Sequence, residues 1–233
     1  MTEYGVAYLH GKSIRERAMD LINIAHPKFR KSLIQAAKSR NYIYQDQIEL
    51  SWDQLRYPEE LEHYATLRDG TEIFFRPIKP VDEPALSEML YSLSEHSVRT
   101  RYMTRTVAFP HKDVQQLTNI DYLHNLAIVG VVPGPGGEDI VAIAQYFLDP
   151  KTQAAEVAFL VQDEWQAKGM GTFLLDYITQ VARQRGVKKF YAKVLADNRP
   201  MLAIFQNSGY KVNVEFDGDI YNISYDITTK KEE

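Results

Sequence analysis

The spacing of hydrophobic residues differs between two parts of the chain, and in the first part it is typical of helices. Ser13 and Glu16 form a capping-box signature, which predicts the start of a helix. His26-Pro27 then ends this helix and begins another, because proline fits the first turn of a helix. The predicted apolar faces are Ile14, Ala18, Leu21 and Ile22 on the first helix, and Phe29, Leu33, Ile34 and Ala37 on the second. Two short helices of this kind need a further surface to cover their apolar faces.

From residue 67 onward, strand and helix patterns alternate. Asp69-Gly70 predicts a hairpin turn, and the stretch 133–137 predicts a second turn. The predicted strands are 126–132, 140–148, 154–161, 189–195, 210–216 and 220–227, and the predicted helices are 81–94, 111–117, 173–184 and 201–208. A weak strand is also predicted over 42–50, and the basic, aromatic stretch 99–105 is interpreted as a loop. These elements indicate the α/β (α+β) class, with a mixed central sheet of about seven strands flanked by helices and a short helical N-terminal extension.

Composition narrows the possible functions. The chain has 233 residues, 45% of them hydrophobic, which suffices for a full core, and its net charge of −4 does not indicate a general nucleic-acid binder. Because it contains no cysteine, it forms no disulfide, no thiolate–metal bond and no cysteinyl intermediate. The histidines lack metal-ligand spacing, and no apolar run reaches the roughly 18 residues of a membrane span. We therefore expect no metal, no nucleic-acid or membrane partner, and a cytoplasmic protein.

The segment 166–171, Gln-Ala-Lys-Gly-Met-Gly, joins a predicted strand to a predicted helix. Gly169 and Gly171 let the backbone come close to a ligand, and the N–H groups at the positive end of a helix suit a pyrophosphate. Lys168 would add a charge-assisted contact to phosphate. Two glycines alone are a weak signal, and an ordinary strand–helix turn remains the alternative. A dinucleotide fingerprint is excluded, since Leu174 stands where a third glycine is needed.

In its full context this loop resembles that of the Gcn5-related N-acetyltransferase (GNAT) family. The resemblance includes the strand 154–161 (Ala-Ala-Glu-Val-Ala-Phe-Leu-Val), the word 198–202 (Asn-Arg-Pro-Met-Leu) and the ending Ser208-Gly-Tyr210. The words 57–61 (Tyr-Pro-Glu-Glu-Leu) and 67–70 (Leu-Arg-Asp-Gly) are similar to those of the bacterial protein lysine acetyltransferases. The resemblance implies the GNAT fold, acetyl-CoA or coenzyme A as cofactor, and direct transfer of the acetyl group to a primary amine, above all a protein lysine. That lysine could belong to an acetyl-CoA-metabolising enzyme.

The same resemblance assigns a set of candidate site residues. Glu156 takes the place of the general base. The cofactor-binding candidates are Phe159, Leu160, Val161, Gln166, Lys168, Gly169, Met170, Gly171, Thr172, Asn198, Met201 and Phe205. Backbone N–H groups around 159–161 are expected to stabilise the oxyanion.

Glu156 is the only charged residue in the apolar strand 154–161. A carboxylate buried in such a strand is desolvated, which raises its pKa and makes it a better base near neutral pH. The alternative is a glutamate at the start of a strand that faces a lysine or arginine on the surface. Both interpretations follow from the residues, and the resemblance favours the base.

Three further features bear on the chemistry. Asn198 precedes Pro200 and predicts a helix N-cap, and the resemblance adds a contact to coenzyme A. Phe205 stands where many acetyltransferases have a tyrosine that protonates the leaving thiolate, so a dedicated general acid is in doubt.

Arg99, Arg101, Arg105 and Lys112 form a basic cluster in the region that lines the acceptor groove of relatives; substrate contact and a solvated surface are both open.

The N-terminal segment carries a second resemblance. The words 9–17 (Leu-His-Gly-Lys-Ser-Ile-Arg-Glu-Arg) and 24–29 (Ile-Ala-His-Pro-Lys-Phe) are similar to the C-terminal end of the acetyl-CoA hydrolase/CoA-transferase family. That family's catalytic glutamate lies upstream of the matched segment. We expect a C-terminal CoA-transferase piece over 1–45, part of a longer fusion protein, then a linker over 46–64 and a GNAT domain over 65–233. An independent helical cap is the alternative for 1–45.

Two other functions remain open at this stage. The same residues would also suit an enzyme that acetylates a small amine. They would equally suit a regulatory domain that binds acetyl-CoA without turning it over.

Overall fold

The computed structural model describes residues 1–3, 7–47, 57–104, 108–134 and 137–230. Its helices are α1 Ile14–Asn23, α2 Pro27–Ser39, α3 Glu83–Ser92, α4 Glu95–Tyr102, α5 His111–Thr118, α6 Met170–Gln184 and α7 Arg199–Gln206. Its strands are β1 His63–Thr66, β2 Glu72–Pro77, β3 Asn125–Gly134, β4 Gly137–Asp149, β5 Ala154–Val161, β6 Lys189–Leu195, β7 Val212–Asp217 and β8 Ile220–Asp226. The α/β class is the one expected, and so is the order of the elements from β3 to β8.

One mixed sheet joins all of these strands in the order β1-β2-β3-β4-β5-β6-β8-β7. It has 8 strands rather than about seven, because the first hairpin contributes two strands to its edge. Every pairing is antiparallel except that of β5 with β6. That parallel pairing extends only from Ala154–Lys189 to Glu156–Tyr191, and beyond this point the two strands separate.

Helix α6 packs its apolar face on the sheet as its sequence predicts. Leu174, Ile178, Val181 and Ala182 are buried in the main core, with Phe173 and Tyr177 packed at its edge. The Tyr177 hydroxyl donates a hydrogen bond of 2.6 Å to the carbonyl of Leu61 and so joins α6 to the segment before β1. The direction of α6, which positions its first turn, is therefore determined by packing along its whole length.

The predicted helix 81–94 corresponds to α3, which is shorter, and the stretch 99–105 predicted as a loop is helical up to Tyr102, as part of α4. Leu93 is extended (ψ 143°), which ends α3, and Ser94 then caps α4 by accepting a hydrogen bond from the Ser97 N–H. Helix α4 is polar on most sides, so hydrophobic periodicity could not reveal it. Arg105 lies outside the described residues.

The N-terminal helices form a small core of their own. The capping box at Ser13 and the helix start at Pro27 are confirmed. Ile22, Ile34, Ala37 and Ile43 are buried together, separate from the main core. The predicted apolar faces of α1 and α2 are only partly buried. The residues of these faces that remain exposed are Ile14, Leu21, Phe29 and Leu33. Residues 42–47 form turns rather than the predicted strand, and 48–50 lie outside the described residues.

Two kinds of feature are absent from the described residues. The helices among them include none that could span a membrane. Within the same ranges, no three His, Asp or Glu side chains come together in a way that could hold a metal ion.

Candidate functional site

A cavity of about 610 Å³ opens where β5 and β6 separate. Strand β5 forms one wall, and residues 192–194 of β6 form the other. Helix α4, the first turn of α6 and helix α7 complete the lining. The parting of two parallel strands thus creates a space that is lined by both backbone and side chains.

Backbone groups of β5 face this cavity. Neighbouring residues of a strand point their N–H groups to opposite sides, and the Gln162 N–H donates to the Val141 carbonyl of β4 at 2.9 Å. The N–H of Leu160 therefore also points toward β4, whereas those of Phe159 and Val161 point toward the gap beside β6. Of the three candidates for oxyanion contact, Phe159 and Val161 have the suitable direction.

The first turn of α6 is exposed to the cavity without a side-chain cap. Gly169 is the N-cap residue with φ of +88°, a left-handed conformation that favours glycine, and no side chain of the described residues caps the turn by accepting a hydrogen bond from it. Met170, Gly171 and Thr172 line the cavity at this point. Their backbone N–H groups lie at the positive end of a 15-residue helix, which is a site for anions such as pyrophosphate.

Gln166 holds this loop in place. Its side-chain amide donates to the carbonyl of Val161 at 3.0 Å and to the hydroxyl of Ser97 at 3.1 Å. Ser94 and Ser97 also donate hydrogen bonds to Asp163. Burial raises the pKa of Asp163, but these hydrogen bonds lower it more, so that it lies below its usual range. The loop is thereby tied to both β5 and α4.

Glu156 lies at the point where β5 and β6 separate, opposite Tyr191, and lines the cavity. Its side chain is exposed, so the expectation of a desolvated carboxylate is wrong. The reason is the same separation of strands: beyond Glu156, no strand among the described residues pairs with this edge of β5. The exposed carboxylate is accessible to an amine that enters the cavity from this end.

Helix α7 also lines the cavity. The Asn198 side chain accepts a hydrogen bond of 3.2 Å from the Met201 N–H, which confirms the predicted N-cap, and Asn198 also lines the cavity. Phe205 is 1% exposed and packs edge-on against Phe159 and Tyr225. Its ring gives the cavity an apolar floor and has no proton to donate.

Comparison with known proteins identifies this arrangement. The family model "Acetyltransferase (GNAT) family" matches residues 91–210, which include the cavity walls, the loop and α7. This chain belongs to the GNAT acetyltransferase family. A second model, "Acetyl-CoA hydrolase/transferase C-terminal domain", matches residues 1–37.

The GNAT part is similar to two proteins that are named acetyltransferases. It is 27% identical over 143 residues to acetyltransferase PA5475 of Pseudomonas aeruginosa, a match that covers 61% of this chain and 77% of that protein. It is 31% identical over 146 residues to acetyltransferase Pat of Mycolicibacterium smegmatis, covering 61% of this chain but only 42% of Pat. The crystal structure of the GNAT domain of S. lividans PAT superposes with a TM-score of 0.65 at 29% identity, over 73% of this chain and 99% of that domain.

The chain is therefore an acetyltransferase with the GNAT fold, and its cofactor is acetyl-CoA. The cavity fits this cofactor on two observations. The uncapped first turn of α6 offers N–H groups to a pyrophosphate, and a Cβ at Gly169 would lie only 3.1 Å from Arg68 Nε, so a side chain at this position would crowd Arg68.

All but one of the candidate site residues line the cavity, and the exception is Lys168. Its ammonium group is 3.4 Å from Asp69 Oδ2 and lies over the Trp165 ring at 4.6 Å. Arg68 lies beside the loop instead, because the first hairpin crosses it: the Arg68 N–H donates to the Lys168 carbonyl at 3.4 Å. Sequence reasoning missed Arg68, which is separated from the loop by about a hundred residues in the chain.

We expect Arg68→Gln to weaken acetyl-CoA binding by about fivefold to tenfold, because it removes a cation beside the first turn of α6, where we expect the pyrophosphate. Lys168→Gln is the matched control and should change the affinity by less than about twofold, since Lys168 is already paired with Asp69. Calorimetric titration with acetyl-CoA measures both values. Equal effects of the two substitutions would contradict this assignment.

We expect Gly169→Ala to weaken acetyl-CoA binding about tenfold, because an added Cβ meets Arg68 and narrows the cradle. Gly186→Ala is the control: Gly186 has a similar φ of +83°, and no atom lies within 4 Å of its added Cβ. Both variants should lose about 1 kcal/mol of stability in denaturant unfolding, the cost of a left-handed alanine. Only Gly169→Ala should lose affinity, and unchanged binding would count against the role of the loop.

The described residues of the basic cluster have different surroundings. Arg99 pairs with Asp197 at 2.5 Å, and Lys112 is exposed on α5 outside the cavity lining. Arg101 lines the cavity, together with Tyr102. The cluster is thus neither a uniform substrate surface nor a uniformly solvated one.

Proposed function

We propose that this acetyltransferase modifies protein lysine side chains, with Glu156 as general base. The observation that carries the proposal is the position of Glu156, an exposed carboxylate in the same cavity as the uncapped turn of α6. A carboxylate that is open to solvent can be reached by an amine at the end of a long side chain on a folded protein. The similarity to acetyltransferase Pat and to the S. lividans PAT domain supports the same assignment.

The base is needed because lysine is protonated at neutral pH. With a pKa of about 10.4, the ammonium group costs about 4 to 5 kcal/mol to deprotonate at pH 7. Glu156 would take this proton, directly or through a water molecule, and leave the nitrogen with a free electron pair. Because the chain has no cysteine, the acetyl group would pass directly to the amine.

Bound acetyl-CoA supplies an electrophilic thioester carbonyl. The N–H groups of Phe159 and Val161, which face the gap between β5 and β6, would donate hydrogen bonds to the carbonyl oxygen as it gains negative charge. A bond forms from the amine nitrogen to the acetyl carbon, and the carbon–sulfur bond breaks. The nitrogen loses two protons overall, one of which ends on the thiol and the other in solvent.

Phe205 bears on how the thiol leaves. A thiol has a pKa near 8.5, so departure as the anion is tolerable without an acid. Asn198 and the apolar floor at Phe205 would hold the cofactor arm in place rather than transfer protons.

The experiment that tests this function uses isotope-labelled acetyl-CoA and a cell lysate, with labelled lysines detected by mass spectrometry. We expect label on a small number of proteins that depends on the added chain. Labelling of small amines alone would replace the proposal with a small-molecule acetyltransferase. Tight acetyl-CoA binding with no labelled product of either kind would point to a sensing domain.

A further inference from the structure

Arg101 is a cation in the cavity without an anionic partner. It lies at the end of α4, half-buried, and lines the same cavity as Glu156. Among the described residues no carboxylate lies within 4.0 Å of its guanidinium, and no acceptor forms a hydrogen bond with it; its neighbour is the Tyr102 ring at 5.0 Å. Two other arginines differ in this respect, since Arg99 is paired with Asp197 and Arg76 with Asp82.

A guanidinium in this position favours an anion. It stays charged at neutral pH and carries five N–H donors in a fork that matches a carboxylate. Burial lowers the pKa of the Arg101 guanidinium, an effect that Tyr102 and Glu156 oppose. Partial burial of the guanidinium without a hydrogen-bond partner is unfavourable. A carboxylate that entered the cavity would supply that partner and so would be bound.

The position of Arg101 indicates which ligand would bring that carboxylate. Ser97, one helical turn before Arg101 on α4, contacts Gln166 beside the end of β5 and the first turn of α6. Glu156, in contrast, is near the start of β5, and its charge opposes the lowering of the Arg101 pKa. At about 3.3 Å per residue, the five residues from Glu156 to Val161 separate the two ends by roughly 17 Å. Arg101 is therefore on the side of the acceptor, and Arg68 is on the side of the phosphates.

We propose that Arg101 forms a carboxylate-binding subsite that selects acceptor lysines with an aspartate or glutamate next to them. This inference rests on the proposed function. A lysine ammonium group alone would be repelled by Arg101, whereas an adjacent carboxylate offsets this repulsion and fixes the register of the peptide. The chain would thus select its protein targets by the charge beside the lysine.

The test compares kcat/KM for three peptides that differ only next to the lysine, with flanking aspartate, alanine or arginine. We expect the wild-type chain to prefer the aspartate peptide over the alanine peptide by about tenfold, the usual size of one charge-assisted contact. Arg101→Gln should reduce this ratio to within about twofold, and Arg101→Glu should favour the arginine peptide. The ratio is internal to each variant, so a general loss of folding does not affect it.

Arg99→Gln is the matched control, since Arg99 is on the same helix but paired with Asp197, and it should keep the wild-type ratio. A wild-type ratio near one, or an Arg101→Gln ratio near ten, would overturn the subsite. A second arm compares 6-aminohexanoate with hexylamine. A carboxylate preference in this arm but not among peptides would overturn the peptide assignment. Failure of every peptide, whatever its flanking residues, would overturn the proposed function and this inference with it.

Discussion

Glu156→Gln should lower the turnover of a lysine substrate by about 100-fold or more at pH 7, while acetyl-CoA affinity stays within about twofold of wild type. The amide cannot accept the proton from the ammonium group, and a general base typically contributes 10²- to 10⁴-fold. We expect affinity to be retained because the uncapped first turn of α6, where we expect the pyrophosphate, is at the other end of β5. Steady-state kinetics and calorimetric titration measure the two quantities separately.

The pH dependence makes this test more specific. As the pH approaches the pKa of lysine, about 10.4, the substrate loses its own proton and the base becomes unnecessary. The gap between wild type and Glu156→Gln should therefore shrink at pH 9 to 10. Glu72→Gln serves as control, because Glu72 is also an exposed glutamate on a strand but does not line the cavity. Turnover of Glu156→Gln within a few-fold of wild type at pH 7 would exclude Glu156 as the base.

The site residues that could be predicted from the sequence are those close together in the chain. The Gln166–Gly171 loop, the strand before it and the helix after it form one continuous segment, so their order alone indicates an anion-binding turn. Asn198 was similarly predictable as an N-cap from the Pro200 that follows it. Local patterns of this kind survive folding because the contacts they describe are local.

Contacts between distant segments were not predictable in the same way. Arg68 reaches the loop only because the first hairpin pairs with the sheet edge beside α6, and Arg101 reaches the cavity only because α4 is a helix rather than a loop. The burial of Glu156 was wrongly predicted for a related reason. An apolar strand indicates a buried element, but it does not reveal where its neighbour β6 turns away.

A buried cluster of charges joins β2 to the start of α3. Arg76 on β2 is 3% exposed and donates two parallel hydrogen bonds to Asp82, of 2.7 and 2.8 Å. Glu138 on β4 accepts from the same guanidinium at 2.7 Å but is half exposed. Burial alone would lower the pKa of Arg76, but pairing with Asp82 and Glu138 raises it above its usual value. Asp82 also accepts from the Lys79 N–H, and so fixes the start of α3 against the sheet.

Asp82→Asn should lower the free energy of unfolding by about 3 kcal/mol, the lower end of the range for breaking a buried ion pair. The substitution keeps the shape of the side chain but leaves the Arg76 charge with Glu138 as its remaining partner. Glu138→Gln is the matched control and should cost about 1 kcal/mol or less, because solvent already screens that half-exposed carboxylate. Urea unfolding followed by circular dichroism measures both losses. Similar small losses in the two variants would mean that the buried bidentate pair does not hold α3 to the sheet.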